Sequence, residues 1–190
     1  MSQFPADLTC PPPRYRPSRR SVLTGIAGLG AATVIGLPST AQTTLAKPQG
    51  KVLLTVRGQI GVTNTGDTAE FDDDMLGALP QVEFATSTIW TTGEQRFSGP
   101  SLRSVLDLVD ARGTSVSAEA ANAYSVDLPN RVIEDAAPIL ARRIDGKPFG
   151  LRDRGPLWLV YPYDSHERFR TEAAYAQSIW QLVALTVTRV

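Results

Sequence analysis

Hydrophobic and polar residues alternate between residues 51 and 60, with a period of two. One face of this segment carries the apolar side chains of Val52, Leu54, Val56 and Ile60. Because successive side chains of a strand point to opposite sides, the pattern predicts a half-buried strand.

Other segments rich in β-branched, aromatic or aliphatic residues predict further strands. They cover residues 81–90, 124–128, 139–144, 157–161 and 182–190. The segment 157–161 is apolar on both faces, so we expect it to be buried on both sides. Asp145-Gly146 predicts a tight turn after residue 144.

A short helix is predicted after the first strands. Three consecutive acids, Asp72 to Asp74, precede Met75 and Leu76, and carboxylates suit the positive end of a helix dipole. Pro80 is expected to end this helix. The alternative, a calcium loop, requires alternating ligands with a glycine at the bend, which three consecutive acids do not supply.

A second helix is predicted to begin at Gly99-Pro100, with proline in its first position. Its apolar residues recur at intervals of three and four, as a buried helix face requires: Leu102, Val105, Leu106 and Val109. Residues 173–180 predict a short helical or irregular segment. Since strands outnumber short helices, the predicted class is α+β with mixed or antiparallel sheets, in one domain over residues 51–190.

The N-terminal residues are typical of an export signal. The pair Arg19-Arg20 precedes a Gly- and Ala-rich apolar stretch that ends at Pro38, followed by small residues. These are the parts of a signal peptide, and the arginine pair resembles the twin-arginine motif. Residues 1–41 are therefore predicted to be a twin-arginine signal peptide, cleaved after Ala41 or, as the alternative, after Ala46.

The apolar stretch of the leader is shorter than the ~20 residues that a membrane-spanning helix needs. We therefore expect a periplasmic protein with no membrane span after cleavage. Residues 42–50 form a polar segment that is expected to be a flexible lead-in to the domain.

Charge and composition exclude several kinds of function. The chain has 19 basic and 19 acidic residues, and 15 basic and 18 acidic ones remain beyond residue 41. The resulting net charge of −3 gives no general attraction for nucleic acid. The single cysteine, Cys10, lies in the predicted leader, so the mature domain has neither a disulfide nor a thiolate metal site. The chain has a single histidine, His166, which excludes a multi-histidine metal cluster. Because the sequence contains no CxxCH motif, a covalently attached haem is not expected.

Four short segments occur in an order that points to a known family. They are Phe97 to Leu102, Asp145 to Phe149, Arg152 to Trp158 with Tyr161-Pro162, and Trp180 to Leu182. Together they resemble the molybdopterin-binding domain of the sulfite-oxidase type, and especially small exported bacterial molybdopterin-dependent oxidoreductases. The resemblance extends from about Val52 to Val190. It implies an α+β fold of mixed sheets and short helices, with a molybdopterin cofactor.

The sequence departs from this family at the metal ligand. Active members hold molybdenum through a cysteine thiolate on the segment before the Phe-x-Gly-x-x-Leu stretch. Here that segment is residues 86–90, and the corresponding position lies near Ser87. A hydroxyl is a harder and much less acidic ligand than a thiol. Ser87 is therefore either an atypical metal ligand or an ordinary strand serine.

Two arginines are further candidates for cofactor binding. The resemblance implies basic residues around a pterin phosphate and an oxyanion substrate, and the guanidinium groups of Arg152 and Arg154 suit both. The alternative is a surface loop in which these arginines pair with Asp153 or Asp145.

Aromatic and polar residues at strand ends complete the candidate cofactor-binding set. Trp90 and Tyr163 lie at predicted strand ends, where a pocket mouth is expected, and Asn122 with Tyr124 forms a polar pair of the same kind. Trp158 lies inside a buried strand and is expected to be a core residue.

Two functions of different classes follow from these observations. The first is a molybdopterin-dependent oxidoreductase acting on a small oxyanion or oxide, with an atypical metal site near Ser87. The second is a non-catalytic periplasmic domain that binds a small ligand or a partner protein, as part of a redox or sensory system. Any electron exchange would need a separate protein.

Overall fold

The computed structural model describes residues 45–189. The predicted signal peptide over residues 1–41, with its cleavage after Ala41, lies outside the described residues. None of the helices in the described part is long and apolar enough to cross a membrane.

The described end of the lead-in, residues 45–50, contains no helix or strand. It contacts the domain through hydrogen bonds to a side chain, because the backbone N–H groups of Gln49 and Gly50 each donate to Asp72 Oδ2 over 2.8 Å. Asp72 therefore connects this segment to the first helix, which the same side chain caps.

The strands of the described chain are β1 (Leu54–Gly58), β2 (Ala69–Phe71), β3 (Gln81–Ser87), β4 (Glu94–Pro100), β5 (Ser115–Ala120), β6 (Ser125–Pro129), β7 (Ile139–Ala141), β8 (Arg143–Ile144), β9 (Trp158–Val160) and β10 (Leu182–Thr188). The largest sheet has the order β2-β1-β10-β5-β6. Its strands β1 and β10 are parallel, with Val56 opposite Leu185, and its other neighbouring strands are antiparallel. The sheet is therefore mixed.

Two smaller antiparallel sheets have the orders β3-β4-β8 and β7-β9. In the first, Phe97 of β4 lies opposite Phe84 on one side and Ile144 on the other. After β8, Asp145 and Gly146 both have positive φ, 50° and 76°, as the predicted tight turn requires.

The helices are short: α1 (Asp73–Ala78), α2 (Leu102–Leu108), α3 (Glu172–Ala176), and single 3-10 turns at Asn130–Val132, Leu151–Asp153 and Glu167–Phe169. The predicted capping of α1 by an acidic residue is confirmed, because Asp72 Oδ1 accepts a hydrogen bond from the Met75 N–H over 2.9 Å. Mixed sheets with a few short helices also confirm the α+β class in its general form.

The predicted start of the second helix at Gly99-Pro100 is wrong, because both residues belong to β4. The helix begins after Ser101, whose Oγ accepts a hydrogen bond from the Ser104 N–H over 3.1 Å. A Cβ atom at residue 99 would overlap the carbonyl oxygen of Leu140. Gly99 thus permits the close approach of β4 to β7, and its place in the sequence does not mark a helix start.

The small sheet of β7 and β9 contributes to two clusters of buried side chains. Leu140 and Leu159 pack in the cluster that includes the large sheet and α2, whereas Ile139 and Trp158 pack in an aromatic-rich cluster. Because side chains alternate along a strand, the two clusters lie on opposite faces of this sheet. The prediction that residues 157–161 are buried on both faces is confirmed.

Candidate functional site

Trp90 contacts four other aromatic rings. It lies on the loop between β3 and β4, where its N–H donates to Thr88 Oγ1 over 3.1 Å. Its ring meets its neighbours edge to face at centroid distances of 5.6 to 6.4 Å: Trp180, Trp158, Tyr175 and Tyr163. Such contacts are favourable beyond the area that they bury and orient the ring. Trp90 therefore forms a fixed wall for the two cavities that it lines.

The first of these is the polar cavity, with a volume of about 660 Å³. It is lined by Trp90, Thr91, Thr92, Gln95, Ile144, Lys147, Pro148, Phe149, Arg152, Asp153, Arg154 and Trp158. These residues come from the loop before β4, from β4 itself, from β8 and the segment after it, from the 3-10 turn before β9 and from β9. The candidates Arg152 and Arg154 thus lie at one cavity with Trp90.

Three cationic side chains line the polar cavity: Lys147, Arg152 and Arg154. Within residues 45–189, none of these three side chains forms an ion pair. In particular, the two arginines do not pair with Asp153 or Asp145, the partners expected if they lay on an ordinary surface loop. The Arg154 guanidinium lies over the Trp158 ring, 5.7 Å from its centroid, a distance typical of a cation–π contact. Positive charge therefore exceeds negative charge in this cavity.

Two buried polar atoms on lining residues of the polar cavity have no hydrogen-bond partner among the described residues. They are Gln95 Oε1 and Trp158 Nε1. Trp158 is fully buried, as expected for a core residue, yet it also lines the cavity. A buried N–H without an acceptor destabilises a fold by about 1–3 kcal/mol. A ligand oxygen near Trp158 Nε1 would recover that free energy.

The second cavity lined by Trp90 is the apolar cavity, with a volume of about 330 Å³. It is lined by Trp90, Ala120, Asn122, Tyr124, Tyr175, Ala176, Ser178, Ile179 and Trp180. The candidates Asn122 and Tyr124 belong to this cavity, and Asn122 Oδ1 accepts a hydrogen bond from the Tyr124 N–H over 3.1 Å. The sequence-predicted residues therefore divide between two cavities that have Trp90 in common.

Gln181 connects the surroundings of the two cavities. It directly follows Trp180, and its backbone N–H donates to the Arg154 carbonyl over 3.0 Å. Its side-chain Nε2 donates to the Leu151 carbonyl over 2.8 Å. The residue has a positive φ of 53°, a backbone conformation that residues other than glycine, asparagine and aspartate rarely adopt.

Tyr163 lies behind Trp90 and is not a lining residue of either cavity. Its hydroxyl is hydrogen-bonded to Ser178 Oγ over 2.5 Å, and Ser178 Oγ also donates to the Ala174 carbonyl. Burial raises the pKa of Tyr163 above its ordinary value, so the hydroxyl stays protonated. Tyr163 therefore supports the cavity wall through Trp90.

Ser87 lies at the exposed end of β3 and lines neither cavity. Its N–H and its hydroxyl both donate to Asp164 Oδ2, over 2.5 and 2.8 Å. The hydrogen bonds from the Ser87 N–H and hydroxyl lower the pKa of the Asp164 carboxyl. Since an alkoxide beside an ionised carboxylate is unfavourable, this geometry favours the ordinary strand serine over the metal ligand.

The residues present do not fit a molybdenum ion held through a thiolate. The single cysteine of the chain is Cys10, outside the described residues. Between residues 45 and 189, no group of three or more histidine, cysteine, aspartate or glutamate residues is arranged to hold a metal ion. The donors of the polar cavity suit an organic oxyanion instead.

Sequence reasoning missed several residues of these cavities. Gln95 lies on β4, a strand that the sequence pattern did not predict. Lys147 belongs to the Asp145–Phe149 segment. Its position directly after the predicted tight turn was the one sequence feature that could have indicated a place at the cavity. Tyr175 follows from no local pattern, because its contact with Trp90 joins residues far apart in the chain.

Comparisons with protein-family models and with curated proteins give no match. Among solved structures, the crystal structure of the sulfane dehydrogenase SoxCD from Paracoccus pantotrophus matches with a TM-score of 0.54 and 16% sequence identity. The match covers 72% of this chain and 38% of that chain, so this chain spans well under half the length of that protein. At this identity, the likeness shows that the two proteins share a fold.

Proposed function

We propose that this protein is a non-catalytic ligand-binding domain with the sulfite-oxidase-type molybdopterin-binding fold. Its polar cavity binds a small organic molecule that carries an oxyanion group. The observation that carries the proposal is that one cavity is lined by three cations without ion-pair partners among the described residues and by Trp158, whose buried N–H has no acceptor among them.

The side chains of the polar cavity have complementary roles in this proposal. Arg152 and Arg154 bind the oxyanion through guanidinium forks, and Lys147 adds a compact positive charge. The Trp158 N–H donates to a ligand oxygen. Phe149 and Trp90 contact the apolar part of the ligand, since aromatic side chains commonly line small-molecule sites.

Two likenesses support the fold in this proposal. Two of the segments that carry the family resemblance, Asp145–Phe149 and Arg152–Trp158, supply lining residues of the polar cavity. The fold in common with sulfane dehydrogenase agrees with the family resemblance that these segments carry. A pterin with a phosphate group is one molecule of the proposed class.

An oxidoreductase acting on a small oxyanion or oxide is the second candidate, favoured by the fold in common with a dehydrogenase. It would need a molybdenum site built without a thiolate. Because the Ser87 hydroxyl donates to Asp164 away from the polar cavity, we assign no redox step to this chain.

The predicted export signal would give the proposal its cellular setting. After cleavage of residues 1–41, the domain would bind its ligand in the periplasm. A cofactor-free domain in that compartment suits a soluble component of a redox or sensory system, acting with a partner protein. Folding before export requires no bound metal.

The first experiment uses the full chain, produced in a molybdenum-replete bacterium with an active twin-arginine pathway. Native mass spectrometry and elemental analysis of the exported protein measure bound organic anion and molybdenum. We expect no stoichiometric molybdenum. A molybdenum content near one ion per chain would overturn the non-catalytic assignment and support the oxidoreductase.

The second experiment tests the cavity itself by titration with inorganic phosphate and sulfate, at constant ionic strength in chloride. The double variant Arg152→Gln/Arg154→Gln should weaken binding by about tenfold or more, because charged hydrogen bonds each contribute about 1.5–3 kcal/mol. Arg131→Gln, at an exposed position outside the cavity, is the matched control. Equal weakening by the control, or no saturable binding to the unaltered protein, contradicts the proposal.

A further inference from the structure

The apolar cavity differs in chemistry from the polar cavity beside it. Its main walls are the rings of Trp90, Tyr124, Tyr175 and Trp180, and no charged side chain of residues 45–189 lines it. Its volume of about 330 Å³ lies within the range of small-molecule sites, about 300–1,000 Å³. Walls of this kind bind uncharged groups by removing apolar area from water and by ring contacts.

The aromatic side chains at this cavity leave apolar area in contact with water. Tyr124 is 56% exposed and Trp180 is 36% exposed, and both belong to the five large hydrophobic residues of the described chain that are exposed. Both belong to the same concave surface. A ligand seated there covers area that the fold itself leaves uncovered.

Unusual backbone conformations flank the same cavity. Ala123, between the lining residues Asn122 and Tyr124, has a φ of 64°, and Gln181, directly after Trp180, has a φ of 53°. For a residue other than glycine this left-handed conformation costs roughly 1–2 kcal/mol. Such strain is concentrated at ligand sites, where it holds side chains in place.

Contacts among the wall residues themselves hold the wall of the cavity in place. Trp90 is held by four edge-to-face ring contacts, and the hydroxyl of Ser178 is hydrogen-bonded to Tyr163 and to the Ala174 carbonyl. An ordered wall reduces the entropy that is lost on binding. Flat walls at fixed positions favour a flat ligand over a bulky aliphatic one.

The neighbouring charges favour a neutral ligand over a cation. The Arg154 guanidinium already lies over Trp158, and the Trp158 ring contacts both Trp90 and Trp180. A second cation at these rings would therefore meet a like charge, and the cavity lining offers no carboxylate to offset it.

We propose that the apolar cavity is a second binding site, for an uncharged planar aromatic molecule of one or two rings. This site is independent of anion binding in the polar cavity, since its walls and its ligand chemistry differ. Trp90 is the residue that both sites have in common.

The experiment uses indole as the probe and follows the three tryptophan side-chain N–H signals by NMR. Two of these tryptophans, Trp90 and Trp180, line the apolar cavity, and their signals should move most. Ala176→Leu places a larger side chain at an exposed lining position of α3, with only a small loss of helix propensity. Ala173→Leu, also exposed on α3 but outside this cavity, is the matched control.

We expect saturable indole binding that weakens about tenfold or more in Ala176→Leu and stays unchanged in Ala173→Leu. Tetramethylammonium, a cation, and cyclohexanol, which is not planar, should bind at least about tenfold more weakly than indole. Unsaturable indole shifts, equal indole affinity in both variants, or tighter binding of tetramethylammonium would each overturn the proposal. Phosphate titration of Ala176→Leu separates the two sites, because anion binding should be unaffected.

Discussion

The indole ring of Trp90 meets the indole ring of Trp158 edge to face, with 5.9 Å between their centroids. Trp158 belongs to the buried strand β9, whereas Trp90 lies on the loop between β3 and β4. This contact joins the loop to the aromatic-rich core. The position of Trp90 in the wall between the two cavities therefore depends on ring packing, because its own loop is not regular secondary structure.

Removal of the Trp90 ring should affect stability and both binding sites. Trp90→Ala loses four ring contacts and leaves a space beside Trp158, so the free energy of unfolding should fall by about 3 kcal/mol. Urea unfolding measures this change, and titrations with phosphate and indole should both show weaker binding.

Trp90→Phe is the control, because it keeps an aromatic ring at the same place. We expect it to retain most of the stability that Trp90→Ala loses. If Trp90→Ala unfolds at the same urea concentration as the unaltered protein, the ring does not fix this loop.

Local patterns were sufficient to predict several elements. Alternation along residues 51–60 predicted β1, and the doubly apolar segment 157–161 predicted β9, because burial on one or both faces is encoded in adjacent residues. The cap of α1 was also predictable, since Asp72 acts on an N–H only three residues away.

The remaining features depend on contacts between distant segments. Gly99-Pro100 has the local pattern of a helix start, yet β4 continues through both residues because the packing of Gly99 against Leu140 requires it. The cavities likewise combine the loop of Trp90 with residues far along the chain, such as Arg154 and Trp180. A single sequence contains no local signal for such contacts.

The ion pairs of Asp73 predict how stability changes in acid. Hydrogen bonds from Arg143, and then from Arg142, lower the pKa of Asp73 from 3.8 to about 2. Because the folded-state pKa is the lower one, this stabilisation is present above about pH 4 and is lost as the pH falls towards 2. Solvent screens the partly exposed carboxylate, so the contribution at neutral pH is only about 1 kcal/mol.

Asp73→Asn should therefore lower the free energy of unfolding at pH 7 by about 1 kcal/mol and flatten its decline below pH 4. Urea unfolding across pH 2 to 7 measures both effects. Asp74→Asn is the matched control, because Asp74 is exposed in the same helical turn and forms no ion pair among the described residues. Equal pH profiles for the two variants would exclude the assigned role of Asp73.

The contact between Gly99 and Leu140 predicts an intolerant position. A Cβ atom at residue 99 would overlap the Leu140 carbonyl oxygen in the backbone of β7. Gly99→Ala should therefore lower the free energy of unfolding by about 3 kcal/mol or more, because the backbone must move. Gly150→Ala, where no atom lies near the added Cβ, should be nearly neutral, and thermal unfolding of both variants decides the comparison.

Because the backbone of Gln181 is left-handed, a glycine variant at this position should be more stable than an alanine variant, the reverse of the usual order of stability. Gln181→Ala and Gln181→Gly both lose the hydrogen bond to the Leu151 carbonyl, but only glycine relieves the positive φ of 53°. The glycine variant should therefore be more stable than the alanine variant by about 1 kcal/mol. At Gln177, whose backbone is right-handed, alanine should be the more stable of the two. Urea unfolding of the four variants measures the differences, and the same order at both positions would mean that Gln181 carries no strain.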